Sequence, residues 1–278
     1  MTYLLGTDIS IWQTNDASNP TRFWDARVAK PKGMSFGIVR ASIGSAADKA
    51  VAEHVKRFNQ AGLPVGCYHY LRSDVSYITQ ADKYLETVKA FDLQLPHVCD
   101  VEHTGVGLEI VKAWCGRVVS KTGKPVIIYT SPGFWNSLTG VKTATWALDY
   151  RYWVAHYLSS AQGVAYPVRG IPDAVYSTPV RPTPLQPWAS NGKSWTFWQF
   201  CAAGDGEYYG GDYSNTTQSA LDMNVYNGDA AQFVLDFGIG AIPPVEIPPV
   251  ELPDLPDTAL SARVDRLESW ARGIGYKG

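Results

Sequence analysis

The sequence predicts an α/β fold in which βα units surround a parallel sheet or barrel. Short apolar runs alternate with stretches of helical period as far as Trp153, a pattern typical of strands alternating with helices. The composition supports a packed core, because 45% of the residues are hydrophobic and only 18% are charged. With 278 residues, the chain is long enough for one large domain and a small appendage.

The apolar runs of this pattern are the predicted strands. Most of them end in glycine, proline or polar residues, which are typical of the loops between strands and helices. The runs lie at 3–8, 36–41, 65–71, 97–101, 126–129, 152–155 and 195–200.

Three amphipathic helices are predicted between these strands, because apolar residues recur there on one face at helical spacing. The first helix ends at Gly62 and the third at Gly123, since each glycine is followed two residues later by a proline. The apolar faces are Val51, Val55 and Phe58 in the first helix, Ile78, Ala81, Leu85 and Val88 in the second, and Ile110, Val111, Trp114, Cys115 and Val118 in the third.

The repeating pattern stops after Trp153. A segment rich in proline and glycine follows at 159–193, and a loop of this length inside a compact domain is either functional or mobile. Farther along, six prolines lie within 242–256, which predicts an extended polyproline spacer.

We therefore expect three parts: a barrel domain at 1–240, a proline-rich linker at 241–257 and a short amphipathic helix at 258–278. The helix presents a heptad-like apolar edge, which favours self-association or docking on another protein or on the barrel. That edge consists of Leu260, Val264, Leu267 and Ala271.

Charge and hydropathy argue against two classes of partner. A net charge of -2 and a pI near 6.2 argue against nucleic acid, whose binding proteins carry clustered basic residues. No apolar run approaches the ~18 residues of a membrane span, so membrane insertion is not expected. The start MTYLLGTDIS lacks the pattern of a secretory signal peptide. The four cysteines lack CxxC spacing, and we expect them to be buried thiols.

Two acids lie at the end of the strand predicted at 97–101. Asp100 and Glu102 are separated by one residue, so both side chains project to the same face of the strand end. Their Cα atoms are then ~7 Å apart, a spacing that permits the paired carboxyl groups of a glycosidase. Repulsion between the two charges raises the pKa of one carboxyl, as a general acid requires. A solvated strand end remains the simpler interpretation of this pair alone.

Two further acids belong to the same pattern. Asp8 ends the first predicted strand, and Asp222 follows the last one. Because the C-terminal ends of parallel barrel strands meet at one rim, we expect Asp8, Asp222 and the acid pair to form one cluster. Taken alone, each of these acids would more often be a turn residue or a helix cap.

Eight segments resemble, in the same order, the family 25 glycoside hydrolases, which are lysozymes of the N,O-diacetylmuramidase type and frequent among phage endolysins. The resemblance covers residues 4–228 and implies an irregular, TIM-like (β/α) barrel of about five βα units followed by three strands. The segments are GTDISIWQ at 6–13, FGIVRASIG at 36–44, AGLPVGCYHYLR at 61–72, CDVEH at 99–103, VIIYTSPGFW at 126–135, YWVAHY at 152–157, WTFWQF at 195–200 and LDMNVYNG at 221–228.

The resemblance also implies roles for individual residues. Glu102 is the general acid that protonates the glycosidic oxygen and later activates water. Asp100 is its partner, acting either as nucleophile or by orienting the 2-acetamido group of the substrate, and we favour the second role. Asp8 and Asp222 are supporting acids. The residues implied to line the substrate groove are Tyr68, Tyr129, Tyr157 and Trp198.

The implied substrate is the glycan strand of bacterial peptidoglycan, cut at the β-1,4 bond between N-acetylmuramic acid and N-acetylglucosamine. No cofactor is implied, and His69 and His103 lack the spacing of zinc ligands. As a phage endolysin, the protein would be made in the host bacterial cytoplasm and then released to the wall. The alternative is a catalytically silent peptidoglycan-binding or virion structural protein.

Overall fold

A closed ring of eight strands forms the centre of the computed structural model, which describes residues 3–177, 181–211 and 220–240. Around the ring the order is β1, β9, β8, β7, β6, β5, β4 and β2, and pairing of β1 with β2 closes it. The two-residue β3 pairs with the end of β2. The strands are β1 (Leu4–Ile9), β2 (Met34–Ile43), β3 (Ala46–Ala47), β4 (Val65–Tyr70), β5 (His97–Asp100), β6 (Val126–Thr130), β7 (Arg151–Ala155), β8 (Phe197–Asp205) and β9 (Ala220–Tyr226).

The direction of β9 makes the barrel irregular. Seven ring strands run parallel to one another, whereas β9 is antiparallel to both of its neighbours, β8 and β1. The predicted fold, an irregular barrel of βα units followed by further strands, is confirmed. The seven predicted strands are all present, with ends that differ by a few residues from those expected.

Helices connect most of the parallel strands and cover the outside of the ring. The three predicted helices are present, and Gly62 and Gly123 end the first and third in left-handed conformations. One residue of the second apolar face is misplaced: Ile78 is 44% exposed, and Tyr84 fills the buried face instead. The helices are α1 (Ala26–Ala29), α2 (Val51–Ala61), α3 (Tyr77–Val88), α4 (Leu108–Thr122), α5 (Pro132–Trp135), α6 (Asp173–Tyr176) and α7 (Ala230–Phe237).

Two apolar layers lie on the two sides of the strands, since alternate residues of a strand face opposite sides. The outer layer packs the helices against the sheet, with Trp114 and Phe58 among its largest members. The inner layer fills the barrel below its C-terminal rim. It consists of Phe36, Ile38, Leu95, Val98, Ile127, Tyr129, Trp153, Ala155, Phe197, Tyr226 and Phe233.

The segment that interrupts the βα pattern contributes buried residues to the outer layer. Its buried residues include Val168, Leu185 and Trp188, and Val168 forms a β-bridge with Gly204 of β8. The Trp188 ring packs against Trp135 at a centroid distance of 5.3 Å. The described part of this segment therefore replaces a helix as the cover of β7 and β8.

The predicted linker at 241–257 and C-terminal helix at 258–278 lie outside the described residues. Both stay predictions, and so does self-association through the helix.

Gly6 permits the tight filling of the barrel interior. A Cβ atom at this position would lie 2.2 Å from the Phe36 ring, which is itself fully buried. We expect Gly6→Ala to destabilise the protein by at least ~1 to 3 kcal/mol, because a packed core tolerates extra volume poorly. The free energy of unfolding from urea denaturation measures this change.

Gly116→Ala is the matched control. Gly116 lies in the middle of α4, and a Cβ there would meet nothing within 4 Å. Since alanine is the better helix former, this change should stabilise the protein by ~0.5 to 1 kcal/mol. Equal effects of the two substitutions would contradict the packing described for the barrel interior.

Candidate active site

A pocket of about 210 Å³ opens at the C-terminal rim of the barrel, directly above the inner apolar layer. It contains all four predicted acids and three of the four predicted aromatic residues. Its lining residues are Asp8, Arg40, Tyr68, Tyr70, Asp100, Glu102, Tyr129, Trp153, Tyr157, Gln199 and Asp222.

The strand ends bring the acids together, but Asp222 lies near the beginning of its strand, whereas the others lie at or just after strand C-terminal ends. Asp8 and Asp100 lie at the C-terminal ends of β1 and β5, and Glu102 follows Asp100 by two residues. Asp222 was expected after the last strand, whereas it lies near the start of β9 and opposite Asp8. Because β9 is antiparallel to its neighbours, its beginning reaches the rim where the parallel strands end.

Asp8 is held by two amide side chains. Its Oδ2 atom accepts one hydrogen bond of 2.8 Å from Gln199 Nε2 and another of 2.7 Å from Asn224 Nδ2. Trp153 fixes the orientation of the second amide, because its Nε1 can only donate and lies 2.9 Å from Asn224 Oδ1. Asn224 must therefore point its NH₂ group at Asp8.

Gln199 is the centre of a second set of hydrogen bonds. The hydroxyl groups of Tyr129 and Tyr157 each lie 2.8 Å from Gln199 Oε1. The amide group of Gln199 thus connects two tyrosines of the pocket, through its oxygen, with the Asp8 carboxyl group, through its nitrogen.

Asp100 and Glu102 form the expected pair, with their carboxyl groups in contact. Asp100 is 5% exposed, and its buried Oδ1 atom lacks a hydrogen-bond partner within the described residues. Glu102 is more accessible and contacts the Tyr129 hydroxyl as well. Two carboxyl groups in contact share a proton more readily than they carry two charges.

Burial raises the pKa of all four acids. Desolvation raises the pKa of Asp8 to about 6, although the amide groups of Asn224 and Gln199 oppose it. The pKa values of Asp100 and Asp222 are raised well above the ordinary range by desolvation and by neighbouring carboxylates. Desolvation and the charge of Asp8 raise the pKa of Glu102 as well. The pocket therefore retains protons at a pH where exposed acids have lost them.

Arg40 supplies a positive charge in this pocket and was not predicted. Its Nε lies 2.9 Å from Oδ2 of the buried Asp48, which also accepts a hydrogen bond from the Ile11 backbone. Arg40 lowers the pKa of Asp100, against the larger effect of desolvation. An arginine inside the apolar run FGIVRASI was the available signal, because a charged residue in a buried strand requires a partner.

The aromatic residues divide according to their position on the strands. Tyr68, Tyr129 and Tyr157 line the pocket as expected, and Tyr157 is 53% exposed. The prediction that Trp198 lines the groove is wrong. Trp198 is fully buried in the outer layer, where its Nε1 donates to the His156 carbonyl oxygen at 2.7 Å. Its neighbour Gln199 takes the inward position, since adjacent residues of β8 face opposite sides.

The described ranges contain no group of three or more His, Cys, Asp or Glu side chains that could hold a metal ion. They likewise contain no helix long and apolar enough to cross a membrane. The four cysteines are buried thiols.

Known proteins resemble this chain in both sequence and structure. Lysozyme M1 of Streptomyces globisporus is 28% identical over 246 residues, which cover 82% of this chain and 69% of the relative. A bacterial lysozyme from Streptomyces coelicolor, known from its crystal structure, is 26% identical in sequence and matches with a TM-score of 0.64. The match covers 85% of this chain and 98% of the lysozyme chain.

A phage protein shares the fold. The catalytic domain of endolysin ply40 from bacteriophage P40 of Listeria monocytogenes has a TM-score of 0.52 at 20% identity, and the match covers 82% of this chain and 95% of that domain.

The family comparison covers most of the barrel. The sequence model of the glycosyl hydrolases family 25 matches residues 7–207, a range that includes Asp8, Asp100 and Glu102 and ends before Asp222. A match over well more than half of the chain assigns the family. The chain belongs to the family 25 glycosyl hydrolases, and it is a glycoside hydrolase of the lysozyme and N,O-diacetylmuramidase type.

Proposed function

We propose that this protein is a muramidase that hydrolyses the β-1,4 bond between N-acetylmuramic acid and N-acetylglucosamine in bacterial peptidoglycan. The observation that carries the proposal is the Asp100 and Glu102 carboxyl pair in a pocket lined by tyrosines. Paired carboxyl groups are the catalytic machinery of most glycoside hydrolases, and aromatic rings stack on sugars.

Glu102 is the general acid in this proposal. Its pKa is raised, so it holds the proton that the glycosidic oxygen needs when the bond breaks. It is also the more accessible member of the pair, whereas Asp100 lies deeper. After the bond breaks, the Glu102 carboxylate accepts a proton from the attacking water.

Asp100 assists attack at the anomeric carbon. Inverting enzymes hold their carboxyl groups ~6.5 to 9.5 Å apart to admit a water molecule, and a pair in contact leaves no such space. The close pair supports retention of configuration. We assign Asp100 to orient the 2-acetamido group of the substrate, whose carbonyl oxygen then attacks the anomeric carbon. Its Oδ1 atom, which has no hydrogen-bond partner among the residues that the structure describes, is an acceptor for the N–H of that group.

We further propose that the protein is a phage endolysin, made in the host bacterial cytoplasm and released to the cell wall. Its fold is shared with the catalytic domain of a Listeria phage endolysin, which supports this assignment. A phage that carries this chain with Glu102→Gln and still lyses its host on schedule would exclude the lysis role.

New reducing ends test the activity most simply. Digestion of purified peptidoglycan should release fragments with N-acetylmuramic acid at the reducing end, as identified by borohydride reduction and mass spectrometry. Wall binding without new reducing ends would contradict the enzyme assignment and favour a silent binding or virion protein.

Glu102→Gln should lower turnover by ~10² to 10⁴ without unfolding the protein, because a positioned general acid contributes about that factor. The rate of reducing-end release and the thermal unfolding midpoint should be measured together. The matched control is Glu109→Gln on the exposed side of α4, which should leave the rate unchanged. A Glu102→Gln enzyme that retains more than about a tenth of the activity would disprove the assignment.

The pH profile of turnover should be bell-shaped, with its optimum on the acidic side of neutral. Activity falls on the acidic side as Asp8, with a pKa of about 6, loses its charge. It falls on the basic side as Glu102 loses the proton that it must donate. A rate that still rises at about pH 9 would be incompatible with a carboxyl group as the general acid.

A further inference from the structure

Arg40 brings a set of hydrogen-bond donors to the active-site pocket. Its Nε atom lies 2.9 Å from Oδ2 of the buried Asp48, and its side chain, which is 13% exposed, lines the pocket. Its other two nitrogen atoms, Nη1 and Nη2, form no hydrogen bond with any residue of the described ranges. A guanidinium group has five N–H donors, so with respect to the described residues four of them remain for a bound molecule.

Asp48 fixes the direction in which Arg40 points. The Asp48 side chain is completely buried, and it also accepts hydrogen bonds from the backbone N–H groups of Ile11 and Ala50. A carboxylate held by three donors keeps one orientation, and it holds the guanidinium group in turn. Arg40 is therefore oriented before a substrate arrives, which reduces the entropy lost on binding.

The position of Arg40 on β2 places it directly above the inner apolar layer. Alternate residues of β2 face the barrel interior, and the two that precede Arg40 on this face, Phe36 and Ile38, belong to that layer. Arg40 pairs in register with Tyr68 of β4, which also lines the pocket. Arg40 is thus the residue of β2 that meets a molecule bound in the pocket.

Arg40, Asp100 and Glu102 follow one another around the rim. Arg40 lies on β2 and Asp100 at the end of β5, with β4 between them, and Arg40 is close enough to lower the pKa of Asp100. Glu102 lies on the other side, towards β6, where the Tyr129 hydroxyl group lowers the pKa of Glu102. Asp100 therefore lies between Arg40 and Glu102.

The substituents of the sugar in the proposed reaction follow the same order. Glu102 protonates the oxygen on C1 of N-acetylmuramic acid, and Asp100 orients the 2-acetamido group on C2. The next carbon, C3, carries the lactyl ether, which is the group that distinguishes N-acetylmuramic acid from N-acetylglucosamine. A sugar bound in this way presents its lactyl group on the Arg40 side of Asp100.

The chemistry of the lactyl group matches the donors of Arg40. Its carbonyl oxygen is a hydrogen-bond acceptor, both in the free carboxylate and in the amide that joins the glycan strand to a stem peptide. A guanidinium group is suited to such planar acceptors, because its N–H groups form a rigid fork. Arg40 is the cation among the lining residues, and the acids beside it would repel a carboxylate.

We propose that Arg40 is a specificity-determining residue that binds the carbonyl oxygen of the lactyl group and so selects N-acetylmuramic acid at the sugar whose bond is cut. The inference deepens the proposed function and rests on it for the placement of the sugar. Asp48 is the positioning residue that holds Arg40 for this contact.

Removing the carbonyl group from the ligand tests the proposal without changing Arg40. Two disaccharides are titrated by calorimetry into the Glu102→Gln protein, which does not cut them. One is N-acetylglucosaminyl-N-acetylmuramic acid methylamide, and in the other an ethyl ether replaces the lactyl group. The methylamide should bind at least about 10-fold more tightly, because a hydrogen bond from a charged donor contributes about that factor. Equal affinities would overturn the proposal.

Arg40→Met in the same Glu102→Gln protein shows whether Arg40 is the residue responsible. Methionine keeps part of the apolar stem but has no N–H donor, so the two disaccharides should now bind almost equally. The comparison is a ratio within one preparation, and partial unfolding therefore affects both ligands alike. A preference for the methylamide that survives in Arg40→Met means that another residue binds the lactyl group, and the proposal is wrong.

Arg40→Lys is a second variant that keeps a positive charge beside the buried Asp48. A lysine paired with Asp48 has no fork to extend to the ligand, so the preference for the methylamide should fall in this variant too. A full preference in Arg40→Lys would show that positive charge alone is sufficient, and would overturn the assignment to the guanidinium group.

Arg57→Met is the matched control for loss of a paired arginine. Arg57 Nε lies 2.9 Å from Glu53 Oε1, the same type of contact as that of Arg40, but both residues belong to α2 and neither lines the pocket. This substitution should leave the preference for the methylamide unchanged. Its loss in Arg57→Met would attribute the effect to general destabilisation and overturn the proposal.

The binding comparison is separate from the test of the proposed function. If the protein cuts peptidoglycan but binds both disaccharides equally, only the role of Arg40 is wrong. If it releases no new reducing ends but prefers the methylamide through Arg40, the recognition of the lactyl group is supported and the enzyme assignment alone is wrong.

Discussion

The enclosure of four carboxyl groups in one pocket is the constraint on which the rest of the site depends. Asp8, Asp100, Glu102 and Asp222 line about 210 Å³, and Arg40 is the cation among the lining residues. Water cannot solvate so many charges in this space, so desolvation is the leading cause of each raised pKa. The amide hydrogen bonds to Asp8 then favour that residue as the site of negative charge.

The barrel makes this enclosure possible, but burying the four carboxyl groups lowers the stability of the folded state. The apolar inner layer beneath the pocket excludes water from below, and the close approach of Phe36 to Gly6 shows how completely it is filled. Each raised carboxyl pKa means that the folded state binds more protons than the unfolded state once the pH exceeds the ordinary pKa. Stability contributed by Asp8 is therefore lost as the pH rises from about 4 to about 6. The buried acids lower the stability of the folded protein, and packing of the surrounding core compensates for that loss.

Much of this architecture could be predicted from sequence, because buried parallel strands and helical faces leave strong periodic signals. The acid cluster was also predictable, since strand ends converge at one rim. The prediction for Trp198 was wrong because Trp198 and Gln199 are neighbours in the run WTFWQF. Side chains alternate along a strand, so only one of the two can face the pocket. Hydrophobic periodicity alone could not show which face of β8 points into the barrel, because both faces of the strand are buried.

The amide groups of the site were missed for a different reason. Gln199 and Asn224 lie within the segments WTFWQF and LDMNVYNG, but the resemblance of those segments implied roles only for Trp198 and Asp222. Their function depends on contacts between β8, β9 and β1, and the closed ring places β1, from the start of the chain, beside β9. A polar residue in a buried strand is the one signal that sequence offered.

The most direct test of the account is a titration of the aspartate carboxyl groups in the folded protein by carbon-13 NMR, with single Asp→Asn substitutions for assignment. We expect Asp8 to titrate near pH 6, and Asp100 and Asp222 to retain their protons to higher pH than exposed aspartates. Titration of all three near pH ~4, the ordinary value for aspartate, would contradict the claim that enclosure of the acids governs the site.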